Sequence, residues 1–191
     1  MTKVKSNLRT AAVCIVITFV CLFGYLLLQN LSVELFARWG FETNQNTNLF
    51  TNGFWVTFVS MALVVPLLEE LVFRFLSCKL LQLTKMPIWG VITVSAVIFM
   101  LYHGSWSQVV YQFLMGLWFA WIYLKTHQIG WTMMMHVINN AFIVTYTYLT
   151  GNSNSVFNLN ALNVVLALGS AAIATVAVIY LIKKGIPNYE K

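Results

Sequence analysis

Charge is what this sequence has least of. Of 191 residues only 8% are charged, where a soluble domain carries roughly a quarter. Aspartate is absent, and the five acidic residues are all glutamate: Glu34, Glu42, Glu69, Glu70 and Glu190. With 60% hydrophobic and 15% aromatic residues and a mean hydropathy of +0.78, apolar side chains outnumber what one core of this size can hide. A water-soluble globule is excluded, and lipid is the solvent for most of the surface. Cysteine is also scarce: Cys14, Cys21 and Cys78 lie in apolar segments without paired spacing, which fits buried thiols and argues against a disulfide framework. The net charge of +6 comes from Lys and Arg spread along the chain, so the clustered basic stripe of a nucleic-acid binder is missing too.

What is present is a series of long apolar runs. Crossing about 30 Å of hydrocarbon takes around 20 helical residues, and six stretches qualify, at 10–29, 53–77, 87–103, 106–124, 130–149 and 158–182. They predict an all-α, polytopic membrane helix bundle, a single domain over 1–191 with short polar connections. Residues 31–52 read as an interfacial helix plus loop. With the N-terminus inside, nine basic residues (Lys3, Lys5, Arg9, Lys79, Lys85, Lys125, Lys183, Lys184, Lys191) fall on the cytoplasmic side and Arg38 alone outside. Both termini are therefore expected in the cytoplasm. The last run is scaffold by this reading, and its small residues Ala167, Ser170, Ala171 and Ala174 suit close helix packing within one chain or between two. No internal repeat is evident.

Against that apolar background three segments carry polar chemistry. In PLLEELVFR, Glu70 and Arg74 are four apart and share a helix face, where an ion pair relieves the burial of both. Glu69 is turned about 100° from Glu70 and is free to face something else. Pro66 donates no main-chain hydrogen bond, which predicts an unpartnered carbonyl at Ala62 and a kink before the pair. In FMLYH, Phe99 and His103 share a face. In HVINN, His136 and Asn140 share a face and Asn139 borders it. Each segment has a plain alternative: a salt-bridged core cluster, an interfacial histidine, an interhelical hydrogen-bond clamp. Three such segments in a chain that otherwise excludes ionisable groups point to one functional site. His127, in the polar KTHQ loop, reads as exposed.

EExxxR (Glu69, Glu70, Arg74), FxxxH (Phe99, His103) and HxxxN (His136, Asn140), in that order, resemble the CAAX protease and bacteriocin-processing family, also called the Abi family, which includes the type II CAAX prenyl endopeptidases. The matching core runs from about Pro66 to Ala141. The resemblance implies an intramembrane endopeptidase of the glutamate type: Glu69 and His103 activate a water, His136 and Asn140 stabilise the oxyanion, and Glu70 and Arg74 complete the site. A carboxylate taken out of water holds a proton more readily, which suits a base, and imidazole and amide N–H groups suit an oxyanion. No cofactor is favoured. Zinc held by Glu69, His103 and His136 is the mechanistic alternative, without an HExxH motif to support it. The implied partners are membrane lipid and a peptide or protein substrate, lipidated tails included. The expected setting is a bacterial cytoplasmic membrane with the site toward the cytoplasmic side. The competing functions are a non-catalytic immunity or scaffold protein using the same cavity, and a proton or ion path. One geometric obstacle stands: by helical rise His136 lies about 10 Å from the cytoplasmic boundary and His103 about 24 Å, so the two need not be level.

Overall fold

The computed structural model describes residues 3–41, 49–106, 108–150 and 159–187, and among them all regular structure is helical. The basic or acidic side chains of Lys3, Lys5, Glu42, Glu190 and Lys191 lie outside the described set, as do the connections at 42–48 and 151–158. Seven continuous helices follow one another: α1 (Lys3–Gly24), α2 (Leu26–Arg38), α3 (Phe54–Leu83), α4 (Ile88–Tyr102), α5 (Val109–Thr126), α6 (Ile129–Thr150) and α7 (Ala161–Gly185). Of these α1, α3 and α7 are long and apolar enough to cross a membrane, and the chain is an integral membrane helix bundle. At 15 residues α4 is apolar but short, about 22 Å against a hydrocarbon core of about 30 Å.

The first apolar run does not continue to residue 29 as one helix. It breaks at Tyr25, which leaves helical geometry at ψ 0°, and the phenol explains why. Its oxygen accepts from Trp118 Nε1 at 3.1 Å and lies 3.1 Å from Thr175 Oγ1, which anchors the joint to α5 and α7. The expected interfacial helix therefore starts at Leu26 rather than 31. It carries a Glu34–Arg38 ion pair of 2.8 Å on its exposed side. Phe36 and Phe41 close over Trp106 at ring separations of 5.4 and 4.6 Å, so the end of α2 covers the loop that follows His103.

The long helix α3 is not uniformly α-helical. Phe58–Val64 and Leu71–Leu76 are π segments on either side of an α stretch, Val65–Glu70. In the first, Val65 N–H reaches back five residues to the carbonyl of Ser60. The next donor in that register is Pro66, which has none, so the carbonyl of Met61 is left bare, one residue before the Ala62 that α-helical counting singles out. Asn140 Nδ2 on α6 donates to the Met61 carbonyl at 3.0 Å. The second segment is tied in the same way: Ser95 Oγ on α4 donates to the Phe73 carbonyl at 2.9 Å.

Close packing needs small residues where helices cross. On α7, Ala167, Ala171 and Ala174 are buried, and Gly24 of α1 abuts Ala174 so tightly that a Cβ there would overlap it. On α5, a Cβ at Gly116 would lie 2.9 Å from Ala96 Cα and 3.0 Å from its Cβ, so α4 and α5 approach through Gly116. Gly116→Ala is expected to destabilise the fold by about 1–3 kcal/mol through overpacking, whereas Gly169→Ala, with nothing within 4 Å of its Cβ, is expected to lose none. Thermal unfolding of the two variants in the same detergent checks this.

Candidate active site

The site grows from a charge that has no water. Glu70 and Arg74 are fully buried, one helical turn apart on α3, with Arg74 Nε 3.3 Å from Glu70 Oε2. Ionised groups in such a place persist only if paired. The remaining guanidinium nitrogens find no hydrogen-bond acceptor among the described residues. They rest on aromatic faces instead, with the guanidinium carbon 4.3 Å from the Phe99 ring centre on α4 and 5.5 Å from Phe119 on α5, contacts that favour a cation. The phenylalanine of FxxxH is thus part of the arginine's solvation.

The second partner of Glu70 is His136 on α6, whose Nδ1 lies 2.9 Å from Glu70 Oε1. Its other nitrogen, Nε2, lies 3.5 Å from Glu69 Oε2. Glu69 is therefore not turned off to a separate surface, and His136 stands between the two carboxylates. Because a carboxylate accepts, Nδ1 of His136 carries a proton toward Glu70. His103 is oriented by the same logic: its Nδ1 lies 2.9 Å from the Phe99 carbonyl, which can only accept, and its Nε2 faces Glu69 Oε1 at 4.0 Å. Both imidazoles thus have Nδ1 committed and converge on Glu69 through Nε2. The Phe99 ring, 4.6 Å from His103 and 5.8 Å from His136 between centres, packs against both.

Helical rise explains part of the convergence. Glu69 lies about 21 Å back from Leu83 along α3 and His103 about 22 Å on from Ile88 along α4, so an antiparallel pair brings them level. His136 lies only about 10 Å on from Ile129, yet it meets the same carboxylate. The start of α6 is consequently about 12 Å nearer the site than the start of α4. A buried Thr126 and a hydrogen bond of 2.8 Å from Lys125 Nζ to the Ile182 carbonyl hold the α5–α6 turn inside the bundle. The obstacle posed by the levels of the two histidines is absent.

Five of the six residues singled out in the sequence are therefore joined by direct contacts, whereas Asn140, one turn on from His136, is tied to the backbone of α3 instead. Glu69 and His136 are nearly buried at 7% and 4% exposure, while His103, half-buried, forms the open edge, and Asn140 is half-buried as well. His127 is exposed and caps α5 in a left-handed conformation, φ 53°. Sequence reasoning passed over Tyr111. Its hydroxyl donates to Asn139 Oδ1 at 2.6 Å, and Asn139 Nδ2 donates to Asn140 Oδ1 at 3.2 Å. A tyrosine at the start of an apolar helix gives no signal of such a contact. Among the described residues no group of three or more His, Cys, Asp or Glu side chains is disposed to hold a metal ion.

Comparison with known proteins gives one match. Residues 51–142 match the family described as type II CAAX prenyl endopeptidase Rce1-like, which bears out the family resemblance and the protease class. That stretch contains all three motifs and spans α3 to the middle of α6. Neither the curated proteins nor the solved structures yield a match.

The buried pair sets a stability test. Arg74→Leu leaves Glu70 without its cation and is expected to destabilise the fold by about 3–5 kcal/mol. Adding Glu70→Gln should recover much of that loss, because an apolar or neutral pair replaces an uncompensated charge. Unfolding midpoints of the single and double variants read both effects.

Proposed function

We propose that this chain, whose residues 51–142 belong to the type II CAAX prenyl endopeptidase Rce1-like family of proteases, hydrolyses a peptide bond in a membrane-associated substrate by a water held at Glu69 and His103. The observation that carries the reading is the convergence of two Nε2 atoms on one carboxylate, at 4.0 Å from His103 and 3.5 Å from His136. The water binds at the open edge, where Glu69 and His103 are reached from outside the bundle. Its oxygen attacks the carbonyl carbon while Glu69 takes the proton, and Glu69 then returns that proton to the departing amine nitrogen. The imidazole of His103, its tautomer set by the Phe99 carbonyl, orients the attacking oxygen.

Negative charge on the former carbonyl oxygen needs donors. Asn140 has two amide hydrogens, one spent on the Met61 carbonyl and one left for the oxyanion. His136 contributes from Nε2 when that nitrogen also carries a proton, and Glu70 and Arg74 hold it in place from the other side. No nucleophilic side chain takes part. The cysteines are buried and free. We place the site toward the cytoplasmic face of a bacterial membrane, with both termini cytoplasmic, and take the substrate to be a peptide or protein tail delivered along the lipid. Lipidated CAAX-type tails and bacteriocin precursors are the two substrate classes to try first. In this reading the mechanism runs without a metal.

Reconstituted protein offered such peptides should lose cleavage by at least about 100-fold in Glu69→Gln, His103→Ala and Asn140→Ala, with helix content retained. Asn140→Ala should in addition lower stability by about 1–3 kcal/mol, because the Met61 carbonyl is left without a donor in an apolar surrounding. Full biological activity in Glu69→Gln would instead favour a peptide-binding immunity or scaffold protein. Activity lost on chelation and restored by zinc would favour the metal-dependent route.

A further inference from the structure

Asn140 is gripped at both ends of its amide. From one side Tyr111 O–H donates to Asn139 Oδ1 at 2.6 Å, and Asn139 Nδ2 donates to Asn140 Oδ1 at 3.2 Å. From the other, Asn140 Nδ2 donates to the Met61 carbonyl at 3.0 Å, an acceptor that exists because Pro66 has no N–H to give it. Every bond in this chain runs in the same direction, from the phenol on α5 through two amides on α6 to the backbone of α3. Hydrogen bonds so aligned polarise one another, most strongly where water is scarce, and Asn139 is nearly buried at 4% exposure.

We propose that Tyr111 and Asn139 are positioning residues of the hydrolytic site, which fix the plane of the Asn140 amide and strengthen its one free N–H as an oxyanion donor. This inference rests on the proteolytic reading given above. Neither residue reaches the carboxylates or the imidazoles of the cluster in any contact described here, so their influence passes through Asn140. An amide accepting at Oδ1 draws electron density from its nitrogen, and both N–H groups become better donors. With one of them bound to Met61, rotation about χ2 is blocked, and the other keeps a single direction. A serine or alanine at 139 would leave Asn140 held at one end only.

The test pairs kinetics with a spectroscopic readout that does not depend on turnover. Tyr111→Phe keeps the ring and removes the donor; Asn139→Ala removes the relay. Both are expected to lower kcat about tenfold, the size of one hydrogen bond's worth of transition-state stabilisation, with KM within twofold of wild type. The double variant should be no slower than Asn139→Ala alone, because both lesions lie in one chain. In protein labelled with 15N-asparagine, the Asn140 side-chain amide protons should move upfield in Tyr111→Phe. A kcat within twofold of wild type together with an unmoved Asn140 resonance overturns the proposal, as does a multiplicative loss in the double variant. Should the wild-type protein cleave nothing offered, the proteolytic reading fails on its own account, and the resonance alone decides whether Tyr111 positions Asn140. Should Asn139→Ala fail to fold, the Tyr111→Phe variant and its resonance decide.

Discussion

Glu70 is a carboxylate with no access to water, and the arrangement around it follows from what such a group requires. Lipid cannot solvate it, so protein must. Arg74 supplies the counter-charge from the next turn, and His136 supplies the hydrogen bond across the helix interface. Each of these brings its own demand. The guanidinium, itself buried, takes the ring faces of Phe99 and Phe119 in place of water. The imidazole, committed at Nδ1, presents Nε2 to Glu69. Four helices are thereby drawn to one point: α3 with both carboxylates and the arginine, α4 with Phe99 and His103, α5 with Phe119, and α6 with His136. The second glutamate of the pair is what makes the first one useful, because it fixes the histidine that stands beside it.

A second constraint is the main chain. In hydrocarbon every carbonyl needs a donor, and a π turn displaces the usual one. All three π segments of the described residues have a carbonyl taken by a side chain from another helix. Asn140 of α6 takes Met61 and Ser95 of α4 takes Phe73. At the end of α7, Lys125 takes Ile182 and Arg9 takes Lys184, at 2.8 and 2.7 Å. Irregular backbone in this protein thus supplies acceptors for four of its cross-helix hydrogen bonds. In α3 that irregularity flanks Glu69 and Glu70 on both sides. It ties the helix that carries the carboxylates to α6 before them and to α4 after them, the same two helices that bring the histidines.

The sequence made the cluster legible because the chain is so poor in charge. Glu69, Glu70 and Arg74 stand out in an apolar run, and the spacing of four put Glu70 with Arg74 and Phe99 with His103, as found. The small residues of α7 likewise read correctly as a packing face. What spacing could not convey was everything that depends on a neighbour. Turning Glu69 by 100° from Glu70 says nothing of a histidine from α6 filling the angle between them. Counting four residues back from Pro66 gives Ala62, but the register had already slipped to five. Helical rise put His103 and His136 on different levels, since it carries no information on where each helix begins in the bundle. Tyr25 and Tyr111 look like apolar ballast until their hydroxyls are seen against Trp118 and Asn139.

The geometry also bears on why two histidines serve one carboxylate. A single imidazole between Glu69 and Glu70 would satisfy both acids and leave Glu69 engaged from one side only. His103 differs from His136 in what holds it: a carbonyl of its own helix rather than a buried carboxylate. It is also the more exposed of the two, at 17% against 5% of the side chain. A ring tied to a neutral acceptor at the edge of the bundle is free to meet solvent, whereas a ring wedged between two acids inside it is not. The pair thus fills two positions that one residue could not. His136 pairs with the buried Glu70, and His103 faces Glu69 from the more exposed side. Asn140, half-buried, is tied to α3 through the Met61 carbonyl, to which Pro66 has no N–H to give.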